Sequence, residues 1–123
     1  MDRIVIVQGL LGMLMLVVGG ARLAGVGPFV AEFARFRYPR WFHWVTGGVE
    51  VIGGLSMLIG IAIPALGVLA GGWLAATMVG ALWTHLVRAH DPITKVVPAV
   101  VVLVLALAVA ALRLPALQAI LMA

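Results

Sequence analysis

Long apolar stretches dominate this sequence, and only short groups of charged residues or a proline separate them. A transmembrane helix needs about 20 consecutive apolar residues. The apolar stretches predict four such helices, at residues 4–22, 44–63, 65–86 and 96–113. Hydrophobic residues form 65% of the chain and charged residues 10%, whereas a soluble domain is about half apolar and about a quarter charged. We therefore predict an all-α integral membrane four-helix bundle, with a single transmembrane domain over residues 1–123.

The connection between the first and second predicted helices has a different composition. Residues 22–43 combine arginines with aromatic side chains, which is typical of the membrane interface. After Pro28, the rings of Phe29, Phe33 and Phe36 recur at helical spacing, as in a short amphipathic helix that lies on the bilayer surface. An irregular loop fits these residues equally well, so this short interfacial segment has two open interpretations.

Basic residues are distributed unevenly between the two sides of the predicted bundle. The formal net charge is +4, and on a membrane protein such charge reports topology and contact with anionic lipid rather than nucleic-acid binding. The first and third connections carry most of the basic residues: Arg22, Arg35, Arg37, Arg40, Arg88 and Lys95. Because basic connections stay in the cytoplasm, we expect both connections to be cytoplasmic and both termini to lie outside. The lipid bilayer is the expected partner, and nucleic acid is not.

A carboxylate interrupts the second predicted helix. Glu50 lies six residues after Trp44, which is about 9 Å along a helix and therefore inside the membrane. An ionised carboxylate is costly in hydrocarbon, so Glu50 must be paired, protonated or exposed to a polar cavity. Gly47, Gly53 and Gly54 share its helix face, which permits either a close helix or a ligand. A functional site and a structural clasp between helices both fit this pattern.

Two other ionisable residues are predicted to reach the same half of the membrane as Glu50. Arg22 ends the first helix and His85 lies near the end of the third, and both of these ends are on the basic side. We predict a ligand-binding cluster of Arg22, Thr46, Glu50, Trp83, Thr84 and His85, with His43 nearby. Glu50 and His85 are the candidate catalytic residues, because a carboxylate and an imidazole can exchange protons with a substrate. Alternatively, Arg22 and Glu50 form an ion pair that only fixes the register of the helices.

The sequence gives no support for metal or cofactor chemistry. The histidines His43, His85 and His90 lack partners at the i+3 or i+4 spacing that places two ligands on one helix face. The chain has no cysteine, which removes thiolate ligands and thiolate nucleophiles. We expect no metal site and no intrinsic cofactor. Glycines at helical spacing, such as Gly67 and Gly71, favour packing inside the bundle first and a homo-oligomer interface second.

Short motifs along nearly the whole chain carry a resemblance to a known family. They are Gly19-Gly20-Ala21-Arg22, Tyr38-Pro39-Arg40-Trp41-Phe42, Gly48-Val49-Glu50-Val51-Ile52-Gly53-Gly54-Leu55, Thr84-His85 and Asp91-Pro92-Ile93. With these motifs the sequence resembles the DoxX-like family, which implies a four-helix protein of the bacterial inner membrane. The resemblance also implies functional roles for Arg22, for Glu50 and for the Thr84-His85 pair, which stands where the family has Ser-His. Lysine is more usual at the position of Arg22, and arginine excludes Schiff-base chemistry there.

DoxX-like proteins often accompany redox or detoxification systems, so the resemblance implies an association with such a system but no particular reaction. Our first hypothesis is a protein that binds a small lipophilic molecule, with a quinone as one candidate, and that works with a membrane redox partner. The second is a cofactor-free membrane enzyme, an isomerase, cyclase or hydrolase, that uses Glu50 and His85 as acid and base on an apolar substrate. The third is a structural or assembly subunit whose polar cluster only holds helices together.

Overall fold

The computed structural model describes residues 3–123, and the regular elements within this range are helices. They are α1 (Arg3–Leu23), α2 (Gly27–Arg35), α3 (Phe42–Ala62), α4 (Pro64–Trp83) and α5 (Ile93–Leu121), with a π-helical turn (Thr84–Arg88) that continues α4. By length and composition, α1, α3, α5 and the combined span Pro64–Arg88 can each cross a membrane. The prediction of an all-α membrane helical bundle is confirmed.

The connection between α1 and α3 contains the short helix α2, so the helical interpretation of this segment is the correct one. Pro28 lies at the start of α2, where a proline costs no hydrogen bond because the first backbone N–H groups of a helix have no intrahelical acceptor. The aromatic face of this segment points into the protein, since Phe33 and Phe36 are both buried. The helix packs against α3 and α1, and it thereby covers one end of the bundle.

The last helix is longer than the sequence indicated. The predicted end of this helix at residue 113 is wrong, because α5 continues to Leu121 with Pro98 and Pro115 inside it. Each proline removes one backbone hydrogen-bond donor, which helices in membrane bundles tolerate. Arg113 also lies within α5, and its charged group has a partner on α1, because its Nε donates a hydrogen bond to Oε1 of Gln8 over 2.7 Å.

Gln8 joins three helices in the half of the bundle that contains the α3–α4 hairpin. Its side chain is fully buried, and its Nε2 donates a hydrogen bond to the carbonyl oxygen of Met57 over 3.1 Å. Its Oε1 accepts the hydrogen bond from Arg113. Both ends of the buried amide are therefore satisfied, which offsets the cost of placing it among apolar helices. We call these three residues, Gln8, Met57 and Arg113, the Gln8 clasp.

Glycines bring α1 directly against α3 and α4 directly against α5. A Cβ atom at Gly19 would lie 2.7 Å from the carbonyl oxygen of Gly47, and one at Gly71 would lie 2.6 Å from that of Ala106. Side chains do not fit at such distances, so these close backbone contacts require glycine. In contrast, α1 and α5 make only a limited contact with each other. The buried core between the helices includes Leu11, Met15, Met57, Leu74, Met78, Val102 and Val109.

Candidate functional site

Glu50 and Arg22 form an ion pair inside the bundle. Glu50 belongs to α3 and is only 3% exposed. The close approach of α1 to α3 at Gly19 and Gly47 brings the last turn of α1 beside it, and Nη1 of Arg22 donates a hydrogen bond to Oε1 of Glu50. A carboxylate surrounded by apolar helices needs such a partner. The ion pair considered from the sequence is therefore present.

Three further residues contact Arg22. Nδ1 of His43 donates a hydrogen bond to the carbonyl oxygen of Arg22 over 2.9 Å. The guanidinium carbon lies 5.6 Å from the ring centroid of Phe29 and 5.3 Å from that of Phe33, at which distance a cation–π attraction operates. Within residues 3–123, Nε of Arg22 is a buried donor without a hydrogen-bond partner.

Asp91 connects His85 in the π-helical turn to Arg35 at the end of α2. Its Oδ2 lies 2.6 Å from Nδ1 of His85, and its two carboxylate oxygens accept hydrogen bonds from Arg35 at 2.6 and 3.1 Å. The hydrogen bonds from Arg35 and then from His85 hold the pKa of Asp91 well below its usual range. The same bond to Asp91 raises the pKa of Arg35. Because Asp91 occupies the Nδ1 side of the imidazole, Nε2 is the ring nitrogen that a bound molecule can use.

The π-helical turn determines where His85 and its neighbours point. The backbone N–H of Ala89 donates to the carbonyl oxygen of Thr84, five residues earlier, over 3.0 Å. The N–H of Asp91 then donates to the carbonyl oxygen of His85 over 2.8 Å, which folds the chain back so that the two side chains meet. Single π-helical turns of this kind occur frequently at functional sites.

Four aromatic side chains cover the polar groups, and we call them the aromatic roof: Phe33, Phe36, Tyr38 and Phe42. Their ring centroids lie 4.7–6.2 Å apart in tilted and edge-to-face arrangements, which are favourable geometries for aromatic pairs. The Tyr38 hydroxyl lies 2.6 Å from Oγ1 of Thr84. Because Thr84 donates its own proton to the carbonyl oxygen of Gly80 over 3.0 Å, Tyr38 is the donor in this hydrogen bond.

Arg88, the last residue of the π-helical turn, attaches the aromatic roof to the end of α4. Its Nε and Nη2 donate hydrogen bonds to the carbonyl oxygens of Phe36 and Arg37, each over 3.0 Å. Arg37 adopts a left-handed backbone conformation, with φ of 63°, and its own Nη2 donates to the carbonyl oxygen of Arg88 over 3.1 Å. The guanidinium of Arg88 also lies 4.4 Å from the ring centroid of Tyr38.

A cavity of about 490 Å³ lies beneath the aromatic roof. This volume is within the range of about 300–1,000 Å³ that is typical of small-molecule sites. All of the predicted ligand-binding residues contribute to its lining: Arg22, Thr46, Glu50, Trp83, Thr84 and His85. Glu32 and Lys95 also line the cavity, and most of the remaining lining consists of apolar side chains.

Glu50 and His85 share this cavity but have different hydrogen-bond partners. Glu50 is paired with Arg22, whereas His85 is paired with Asp91. No hydrogen bond joins Glu50 to His85 in the part of the chain that the structure describes, so their use as one acid–base pair stays a prediction. His43 is directed to the backbone of Arg22 and does not line the cavity. Across residues 3–123, no group of three or more His, Asp or Glu side chains is arranged to hold a metal ion.

The sequence analysis missed the groups that hold the predicted residues from outside the membrane-spanning helices. Asp91 follows His85 by six residues, which is not a helical spacing, so their contact depends on the π-helical turn. Arg35 reaches Asp91 across 56 residues of chain, and Tyr38 reaches Thr84 across 46. The available signal was the position of Tyr38 and Asp91 inside the short motifs that carry the family resemblance.

The fold has four helices that can span a membrane, a short helix that covers one end, and a cavity that is lined in part by polar side chains. These features define a small multi-pass helical membrane protein. The chain belongs to the DoxX-like family, whose model matches residues 6–109. It is also similar to the uncharacterized protein YdgD of Bacillus subtilis (strain 168), with 30% identity over 97 residues that cover 79% of this chain and 85% of that protein. No solved structure matches the chain. The resemblance inferred from the short motifs is confirmed.

Proposed function

We propose that this protein binds a small lipophilic molecule in the cavity beneath the aromatic roof, as an accessory to a membrane redox or detoxification system. The observation that carries the proposal is that polar side chains from α1, α3 and the π-helical turn meet around one cavity of about 490 Å³ in an otherwise apolar bundle. A purely structural clasp requires the ion pair between Arg22 and Glu50, but it does not require a cavity beside that pair.

The polar atoms around the cavity suit a molecule whose head accepts hydrogen bonds. Arg22 lines the cavity, and its guanidinium carries N–H donors beyond the one that it gives to Glu50. The side chains of His85 and Lys95 also line the cavity. A quinone is our candidate, because it combines carbonyl acceptors with a flat ring that can pack beneath the aromatic roof. Since we expect no intrinsic cofactor, a partner protein would deliver or remove the electrons.

A cofactor-free membrane enzyme is the second candidate, and the contact between His85 and Asp91 favours it. A carboxylate at Nδ1 fixes the tautomer of an imidazole and leaves Nε2 to take or give a proton. Glu50 is already paired with Arg22, so His85 is the stronger candidate for proton transfer. This enzyme would be an isomerase, cyclase or hydrolase that acts on an apolar substrate within the same cavity.

We also propose a location and an orientation. The positive-inside rule places the two basic connections of a bacterial inner-membrane protein in the cytoplasm. Asp91 and most of the aromatic roof belong to these connections, and Phe42 begins α3 beside them, so the polar end of the cavity would face the cytoplasm and both termini would lie outside.

Native mass spectrometry with lipid extraction tests the ligand-binding proposal. The protein is purified gently from its own membrane, and wild type is compared with Glu50→Gln and His85→Ala. His90→Asn is the matched control, because His90 is exposed and does not line the cavity, and asparagine tolerates its positive φ of 50°. We expect wild type and the control to retain a discrete lipophilic molecule that both cavity variants lose.

A second variant separates loss of ligand from loss of folding. Glu50→Gln leaves the charge of Arg22 unpaired, so we add the double variant Arg22→Gln/Glu50→Gln, in which two neutral amides replace the ion pair. The double variant should fold and still lack the molecule. If wild type carries only bulk phospholipid and the variants differ only in stability, the proposal is wrong and the polar cluster is a structural clasp.

A further inference from the structure

A second, smaller cavity lies directly beside the first. It has a volume of about 150 Å³ and occupies the seam between α1 and α5. Its lining is formed by Val7, Leu10, Leu11, Leu14, Val101, Val102 and Leu105. Leu14 and Val102 line both cavities, so the apolar seam and the polar cavity are adjacent at these two residues.

The seam is open because its two helices meet through branched side chains. The contacts of α1 with α3 and of α4 with α5 depend on glycines, and a Cβ atom at Gly19 or Gly71 would lie within 2.7 Å of a backbone oxygen on the neighbouring helix. Between α1 and α5, valine and leucine side chains take the place of these glycines and keep the two backbones apart. The contact between α1 and α5 is correspondingly limited.

The lining residues form a continuous stripe on α1. From the polar end, Arg22, Val18 and Leu14 line the large cavity, and Leu14, Leu11 and Val7 then line the seam. Successive members are three or four residues apart, which keeps them on one helix face. At about 1.5 Å per residue, the stripe from Arg22 to Val7 is about 22 Å long, and the part along the seam is about 10 Å.

We infer that the seam between α1 and α5 holds the hydrocarbon tail of a single-chain amphiphile whose head lies in the large cavity. The inference rests on the proposed function, and it specifies the class of ligand. All seven lining residues of the seam are valine or leucine, which suits a hydrocarbon chain and excludes a polar head. A cavity of about 150 Å³ accommodates a molecule the size of benzene, so the seam takes a chain segment of about six carbon atoms and has no room for a two-chain lipid.

Photolabelling in lipid nanodiscs tests this inference directly. The probe is an unbranched twelve-carbon alcohol with a diazirine at the end opposite the hydroxyl group, and labelled residues are located by mass spectrometry. Val101→Trp places a larger side chain in the seam, because Val101 is one of its lining residues. Since Val101 is 49% exposed, the variant should still fold. Val104→Trp is the matched control on the same helix, since Val104 is 58% exposed and lines neither cavity.

We expect saturable labelling that is concentrated on the seam residues of α1 and α5. Val101→Trp should lower this labelling about tenfold, because the larger side chain would occupy space that the tail needs, and Val104→Trp should leave it unchanged. Circular dichroism is used to check that both variants are folded. Labelling that does not saturate, that spreads over all lipid-facing residues or that ignores Val101→Trp overturns the inference. A shift from dimer to monomer caused by Val101→Trp overturns it as well, because the seam would then be an interface between two copies of the chain.

The same experiment separates this inference from the proposed function. The double variant Arg22→Gln/Glu50→Gln alters the head site but does not touch the seam. If it abolishes saturable labelling, the head and tail belong to one site, as we infer. If labelling depends on Val101 but not on the double variant, the head of the chain lies outside the polar cavity and the inference is overturned. The proposed function is then decided separately, by whether native mass spectrometry detects a molecule that the cavity variants lose.

Discussion

His85 and Asp91 are six residues apart in the chain, yet Nδ1 of the first lies 2.6 Å from Oδ2 of the second. The contact exists because a π-helical turn replaces the last α-helical turn before the connection to α5. Arg35 completes the group from α2. The ion pair between Arg35 and Asp91 thereby links α2 to a histidine that lines the cavity.

This linkage predicts a pH dependence for the attachment of α2. The folded-state pKa of Asp91 is lower than its ordinary value, which is about 3.9 in an unfolded chain. Its contribution to stability is therefore complete above about pH 4 and is lost as the pH falls below that value towards the folded-state pKa. Hydrogen exchange of the α2 amides in detergent should show protection that declines below about pH 4 in wild type.

The variant Asp91→Asn provides the control for this pH dependence. It removes the titrating carboxylate, so the decline in α2 protection should be much smaller over the same pH range, and protection at neutral pH should be lower than in wild type. Equal acid sensitivity in the two proteins would show that another group causes the effect and would contradict the prediction.

The ion pair between Arg22 and Glu50 predicts a non-additive response to substitution. Glu50→Gln leaves a largely buried guanidinium without its counter-charge, and breaking a buried pair in this way costs about 3–5 kcal/mol. Arg22→Gln should also destabilise, because it leaves the carboxylate alone. In the double variant Arg22→Gln/Glu50→Gln, most of this loss should be recovered. Unfolding in mixed micelles with increasing SDS measures the three free energies, and strictly additive losses would mean that the two residues do not interact.

The close contact between α1 and α3 predicts opposite outcomes for two neighbouring glycines. Gly19→Ala should destabilise the protein by about 1–3 kcal/mol, because its Cβ atom would meet backbone atoms, which cannot move aside. Gly20→Ala should be neutral or stabilising, since nothing lies within 4 Å of that Cβ position and alanine is the better helix former. The same unfolding measurement applies, and equal effects at both positions would contradict the helix contact described here.

The Gln8 clasp predicts a loss of stability without a loss of ligand. Gln8→Leu removes both hydrogen bonds of the buried amide and leaves Nε of Arg113 without its acceptor, which should cost about 1–3 kcal/mol. Gln8 does not line the large cavity. Native mass spectrometry should therefore detect the same bound molecule in this variant as in wild type, and its disappearance would show that the clasp and the cavity are coupled.

The sequence was most informative about features that depend on the composition of a single helix. The length of the apolar stretches predicted the bundle, and the cost of a carboxylate in hydrocarbon singled out Glu50, with the ion pair to Arg22 as one of two alternatives. The end of α5 was mispredicted because a proline within a helix usually breaks it. The acceptor of Arg113 is Gln8 on α1, and this contact exists only once the helices are packed together. The contact of His85 with Asp91 was equally inaccessible, because it depends on a local change from α-helical to π-helical hydrogen bonding.

The two sides of the junction between the aromatic roof and the end of α4 respond differently to substitution. Arg88 donates to the main-chain oxygens of Phe36 and Arg37, and every amino acid has such an oxygen. Replacing the side chain of either residue cannot remove the acceptor, whereas replacing Arg88 removes both donors at once. These two hydrogen bonds therefore depend on the identity of Arg88 alone, while the side chains of Phe36 and Arg37 act through other contacts.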